Sequence, residues 1–279
     1  MRKEVILSLI ILFSLSSCNE NVQSDNSELS IQNEDSTVDS TIAFSASNYD
    51  EDDNLTLKVA QKILSFDSYQ KETIGKTVAK SIFSYTQNIT SHEKKYDGFI
   101  ECHNKSNSTF VKTNNTTIYH NDLVLYKTKK DKDYSLYNLD DYLDNHGGLN
   151  PHILSIEGYD VTKGVISTTL VEETDDYKMY TISLDGNESG YYNKIQMKEL
   201  GNLKDYPTFE ELTIDLYIKD DYTPIKTLLH AKYNIDVAIL GKTSCIQELE
   251  SSYSNINGII DMDNLASYKA YNWKIIETL

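Results

Sequence analysis

Between Leu212 and Ile239 apolar and polar residues alternate one by one over a length that few folds can accommodate. Leu212, Ile214, Leu216 and Ile218 alternate with Thr213, Asp215, Tyr217 and Lys219, and a turn follows at Asp220-Asp221-Tyr222-Thr223-Pro224. Then Ile225, Leu229, Ala231, Tyr233, Ile235, Val237 and Ile239 fall on one face, opposite Lys226, His230, Lys232, Asn234 and Asp236. A period of two is the signature of a half-buried strand. At 3.3 Å per residue the second run would reach about 50 Å if straight, more than twice a usual strand, so it must twist and curl with its neighbours. Gly241 turns it into a third strand ending near Tyr253. Such a sheet has one apolar face, and that face must be covered.

The cover is sought earlier in the chain. Leu57 to Phe66 and Glu72 to Ile89 read as helices, the second carrying Ile74, Val78, Ile82, Tyr85 and Ile89 at spacings of three and four. The 72–89 helix is the expected cover. From Gly98 onward the period falls to two, which predicts hairpins of Thr116–His120 with Leu123–Lys127 and of Val161–Val171 with Tyr177–Leu184. Leu139 to Asp144 and Pro151 to Ile156 read as short helices bracketing His146-Gly147-Gly148. The expected fold is α+β: a long curled antiparallel sheet, a half-barrel, with an N-terminal helix packed on its concave face. Residues 54–279 form one domain in this reading. An apolar ligand would sit between helix and sheet, and Ile214, Leu216, Ile218, Leu229, Tyr233 and Ile235 on the strands with Ile82 on the helix are its candidate contacts.

The first residues read as an address. Arg2 and Lys3 precede an apolar run from Val5 to Leu15, too short to span a bilayer and laid out like an export signal. Leu15-Ser16-Ser17-Cys18 resembles the bacterial lipobox, which implies a signal peptide over 1–17, a lipid on Cys18 and attachment to the outer face of the bacterial cell membrane. Two or three acyl chains make such an anchor durable where one would not. From Asn19 to Asp53 there are ten acidic residues and no Lys or Arg, so residues 18–53 read as a disordered acidic stalk.

Charge and motif content narrow the chemistry. The formal net charge is −17, the part after the stalk is acidic as well, and Arg2 is the only arginine. Without guanidinium forks or a basic patch, no nucleic-acid partner is expected, and membrane contact is expected only through the lipid anchor. The six histidines never form the H-E-x-x-H zinc spacing, His146 and His152 being separated by a Gly-Gly break, and no G-x-S-x-G or P-loop occurs. Asp185-Gly186-Asn187-Glu188-Ser189-Gly190 imitates the start of an EF-hand, but position twelve is Gln196 instead of the bidentate Glu, so a plain turn is expected there. No catalytic residue, metal or cofactor is assigned. A hydrolase would need a carboxylate pair or triad apposed in a cleft, which a sequence does not display. Cys102 and Cys245 are the one pair available for a disulfide in an exported domain, with two buried free thiols as the alternative.

The order of elements, an anchor, an N-terminal helix, hairpins, then Leu212-Thr213-Ile214-Asp215-Leu216-Tyr217-Ile218 followed by Tyr222-Thr223-Pro224-Ile225-Lys226 and a further strand, resembles the LolA-like and LppX/LprG-like lipoproteins over roughly residues 55–255. The resemblance implies a half-barrel that encloses a lipid or acyl chain and no enzymatic activity. The cavity arginine of LolA carriers has no counterpart here, so what is implied is general lipid binding and not lipoprotein transfer. The alternative is an envelope interaction or sensing lipoprotein with a filled core and no ligand.

Overall fold

The computed structural model describes residues 55–81, 84–108, 112–201, 203–237, 241–262 and 264–273. The signal peptide, Cys18 and the stalk lie outside the described residues, as do Ile82 and Ile239. Helix α1 (Leu55–Leu64) leads into β1 (Tyr69–Lys80), β2 (Ser84–Tyr96), β3 (Phe99–Asn107), β4 (Lys112–His120), β5 (Leu123–Thr128) and β6 (Ser135–Asn138). Helix α2 (Leu139–His146) and a hairpin of β7 (Ser155–Ile156) and β8 (Tyr159–Asp160) follow. Next come β9 (Val165–Glu173), β10 (Lys178–Leu184), a helical turn α3 (Gly186–Ser189), α4 (Tyr191–Gly201), β11 (Thr208–Ile218), β12 (Pro224–Val237), β13 (Gly241–Ser254) and α5 (Leu265–Ala270).

The architecture is α+β, an unclosed, curled antiparallel sheet of eleven strands in the order β6-β5-β4-β3-β2-β1-β13-β12-β11-β10-β9. It consists of two meanders joined where β1 pairs antiparallel with β13, Ile74 opposite Glu250 and Val78 opposite Ile246. The alternating runs of the sequence are β11 and β12, whose inner residues Leu212, Ile214, Leu216, Leu229, Ala231 and Tyr233 are buried. This topology has a consequence for the connection between the meanders. The chain leaves the first at edge strand β6 and enters the second at the opposite edge strand β9, so residues 139–164 must cross the sheet. They cross on the inner face. Leu139, Tyr142 and Leu143 of α2 pack on Tyr119, Val124 and Cys102, while Ile156, Tyr159 and Val161 pack on Ile182, Ile214 and Leu216. We call residues 147–164 the strap.

The N-terminal helix does pack on the inner face, through Leu55, Val59 and Ala60, but it is α1 alone. The expected helix over 72–89 is instead the hairpin β1–β2. Its inward positions are Lys71, Thr73, Gly75, Thr77 and Ala79, small or polar residues that show no apolar alternation. The apolar residues at spacing three and four share no helical face, and Ile74 points to solvent from the strand. Gly75 is needed where it stands, because a Cβ there would lie 2.1 Å from the Glu248 carbonyl oxygen. The expected helix over Pro151–Ile156 is also absent; that stretch is turn and the short strand β7. The 185–190 segment is α3 with its two caps, Asp185 accepting a hydrogen bond from Asn187 N–H, and not a hairpin turn. Cys102 and Cys245 do not pair: both thiols are free and buried. They sit on β3 and β13, which are separated by β2 and β1, so at about 4.8 Å per strand step they are far beyond the roughly 7 Å that a disulfide tolerates.

The outer face of β3–β5 is covered by the C-terminal segment. Phe99, Ile118 and Leu125 meet Ile260, Met262 and Tyr268, with Trp273 against them. Beneath this cover Glu101 is buried, accepts a hydrogen bond from the Tyr268 hydroxyl and lies 3.0 Å from His103 Nε2. Burial pushes its carboxyl up, but the hydrogen bonds from His103 and Tyr268 outweigh that and hold it below the ordinary glutamate range. A depressed carboxyl contributes stability that is present above the unfolded-state value, near 4.3 for Glu, and is lost as pH falls through the folded-state value. Trp273 is the only tryptophan and donates its indole N–H to the Tyr268 carbonyl at 2.8 Å, so it reports on this segment. Acidification below about pH 4 should red-shift Trp273 emission in the native chain; in Glu101→Gln the emission should be red-shifted already at neutral pH and lose that acid step.

Candidate functional site

The least core-like part of the inner face lies where the strap meets β1, β12 and β13. Here β7 and β8 are joined by Glu157-Gly158, both at positive φ, 53° and 78°. Two positive φ values suit the right-handed twist of a two-residue hairpin, and Asn, Asp or Gly normally occupies the first position. A glutamate there carries backbone strain. What holds it is its side chain. Glu157 Oε1 accepts from Thr227 Oγ1 at 2.7 Å, and Oε2 accepts from Ser251 Oγ at 2.9 Å and lies 3.0 Å from Lys71 Nζ. Thr73 Oγ1 extends the chain to Ser251 at 2.8 Å.

The pair is out of water: Lys71 keeps 13% and Glu157 5% of their side-chain exposure. Glu93, which accepts a hydrogen bond from the Tyr69 hydroxyl, adds a second carboxylate near the ammonium, and Lys71 Nζ lies 5.6 Å from the Tyr253 ring centre. Burial pulls the Lys71 ammonium down, yet Glu157, Tyr253 and Glu93 together drive it well above the ordinary lysine range. Burial pushes the Tyr253 hydroxyl up and keeps it a neutral donor or acceptor at physiological pH.

Beside the pair is a cavity of about 60 Å³, lined by Lys71, Glu93, Glu157 and Tyr253 together with Leu149 and Ile153 of the strap. Pockets that enclose a small molecule run to roughly 300–1,000 Å³. In this conformation the space does not fit an acyl chain. A larger recess of about 570 Å³ opens on the surface beside α1 and is lined by Asp175, Asp176, Asp220, Asp221, Lys62 and Phe66 among others. Hydrogen bonds from Thr223 and Lys62 pull the Asp221 carboxyl there down to about 2.

The six candidate ligand contacts on the strands, Ile214, Leu216, Ile218, Leu229, Tyr233 and Ile235, do come together on the inner face. They are buried against α1 and the strap hairpin, and none lines the 60 Å³ cavity. Lys71, Glu93, Glu157 and Tyr253 were not legible in the sequence. Lys71 precedes a stretch that reads as helix, and only the Glu157-Gly158 turn dipeptide between Ile156 and Tyr159 hinted at this hairpin.

A hydrolase would need a triad in a cleft, and one row of side chains approaches that description. Thr116 Oγ1 lies 3.0 Å from His103 Nδ1, and His103 Nε2 lies 3.0 Å from Glu101 Oε1. The row lies on the outer face of β3 and β4, where His103 and Thr116 are directly opposed, and neither recess reaches it. The strand ladder engages the backbone N–H groups around it, which leaves none gathered as an oxyanion hole. Among the described residues no group of three His, Cys, Asp or Glu side chains is placed to hold a metal ion, and no helix is long and apolar enough to cross a membrane.

No protein-family model and no curated protein matches the chain. Among solved structures, a LolA superfamily protein from Nitrosomonas europaea is similar at 10% identity over 77% of this chain and 96% of its own, with a TM-score of 0.26. A putative outer membrane lipoprotein-sorting protein domain from Vibrio parahaemolyticus gives 10% identity, 76% and 97% coverage and a TM-score of 0.27. The ywiB protein from Bacillus subtilis gives 9%, 70% and 96%, and 0.24. The strand order and registers above define the architecture.

Removing one partner of a buried ion pair typically costs 3–5 kcal/mol, because the other charge is left uncompensated. Lys71→Met and Glu157→Gln should therefore each lose about 3 kcal/mol in urea unfolding, and the double variant should lose about as much as either alone. Small, additive losses would mean that the pair does not hold the strap.

Proposed function

We propose that this chain is a non-enzymatic lipoprotein, held by Cys18 on the outer face of the bacterial cell membrane, whose half-barrel takes up a lipid or other apolar ligand when the strap lifts. The observation that carries this reading is the seam between strap and sheet. An apolar pair at Lys71 and Glu157 would seal the inner face as well or better, since replacing a buried ion pair by packed apolar residues is often neutral or stabilising. A strained turn closed by one ionic cluster is a poor permanent seal and a good reversible one. Below the seam lie Ile214, Leu216 and Leu229, the apolar surface that lifting would free. The element order that resembles LolA-like lipoproteins points the same way.

A second reading has an observation of its own. With only about 60 Å³ free beneath the strap, the same domain would serve as an envelope interaction protein with a permanently filled core. Ligand content separates the two. The full-length chain, purified from membranes in mild detergent, is extracted with organic solvent under conditions that leave the Cys18 acyl group in place, and a parallel sample is weighed by native mass spectrometry. Carriage predicts non-covalent acyl species in about one-to-one ratio and displacement of a fluorescent fatty acid by the extract. A clean apo mass and no probe binding would establish the filled core instead.

A further inference from the structure

Among the described residues only one of the two edges of the sheet is bare. Strand β6 is four residues long, and Leu136 and Tyr137 pack into the clusters on its two faces. Strand β9 is nine residues long and exposed almost throughout, with Ile166 at 67%, Val171 at 56%, Leu170 at 46% and Val165 at 37% exposure. An unpaired edge of this kind presents a row of free N–H and C=O groups, and native proteins normally blunt it with Lys, Pro or charge. Between Val165 and Val171 this one has none of these.

The residue order along β9 says which strand fits it. Read outward from Thr168, the sequence is a chemical palindrome: Ser167 and Thr169, then Ile166 and Leu170, then Val165 and Val171. Further out Lys163 mirrors Glu173. We propose that β9 is a self-association surface on which a second copy of this chain docks antiparallel about a two-fold axis at Thr168. In that register every exposed apolar side chain of one β9 faces an apolar partner on the other, Thr168 faces itself, and the lysine at one end meets the glutamate at the other. Moving the axis to Thr169 would instead set Ile166 against Glu172 and Val165 against Glu173. The two-fold register is thus selected by both apolar and charge complementarity, as an isologous interface requires.

Bulges near Tyr180 and Leu184 interrupt the pairing of β9 with β10 at both ends. They sharpen the local twist, so the new ladder centres on Ser167–Thr169 while the apolar pairs flank it through their side chains. One strand per partner buries less than the roughly 1,000 Å² of a tight complex, so the dimer is a weak one.

Directly opposed residues of an antiparallel pair have Cα atoms about 4.5–5.5 Å apart, within disulfide reach. Thr168→Cys in the full-length chain, exposed to mild oxidant, should therefore give roughly tenfold more cross-linked dimer on a non-reducing gel than either the native chain or Asp175→Cys, an exposed cysteine in the adjacent turn. Adding Ile166→Lys and Leu170→Lys should return it to that baseline, with circular dichroism unchanged because both side chains point to solvent. No excess over Asp175→Cys would overturn the proposal. So would cross-linking that survives the paired lysines.

Discussion

Each long strand of the C-terminal meander is apolar on one side only, and that inner face has to be kept from water. Fully burying a Leu or Ile side chain contributes roughly 1.5–3 kcal/mol, so Leu212, Ile214, Leu216, Ile218 and Leu229 together dominate what holds this part of the molecule. Among the described residues the sheet does not close on itself, and the other sheet is only the two-stranded β7–β8. Its cover is assembled from pieces: a ten-residue helix, a six-residue hairpin and side chains of two further helices. Because β6 and β9 lie at opposite edges, the piece that joins the meanders is obliged to serve as part of that cover.

A cover made of pieces has seams, and the polar residues of the inner face gather at one of them. Lys71, Thr227 and Ser251 come from three adjacent strands and converge on a single carboxylate, Glu157, with Thr73 bonded behind Ser251, and the strap delivers that carboxylate at the cost of a left-handed backbone. These directional bonds add to the apolar contacts that Ile156, Tyr159 and Val161 of the strap make with the sheet. They also give the strap an ionic seam with the sheet, which Ile214 and Val59, surrounded by apolar neighbours, lack. The proposed uptake of an apolar ligand depends on that difference.

How much of this the chain discloses follows from what each segment buries. Strands β11 and β12 were legible because their inner residues are large and apolar and their outer ones charged. The hairpin of β4 and β5 was legible from Asn121-Asp122, where Asn121 takes the positive φ that its residue type tolerates. Strand β1 was not, because Thr73, Gly75 and Thr77 face inward and Ile74 outward, reversing the usual signal. Helix α4 has almost no apolar stripe, with Tyr191 exposed, and escaped the same way. The ionic cluster draws on residues as far apart as Lys71, Glu157 and Ser251, and only the registers of β1, β12 and β13 bring them together.

Amide hydrogen exchange followed by mass spectrometry at neutral pH tests most directly whether strap and sheet are separate in stability. Peptides covering 149–163 should exchange through a local opening, well before those covering 210–235, and Glu157→Gln should speed the first set while leaving the second unchanged. If the strap exchanges as slowly as β11 and β12, or if both accelerate together in the variant, the inner face is closed by one cooperative unit and the seam described here does not exist.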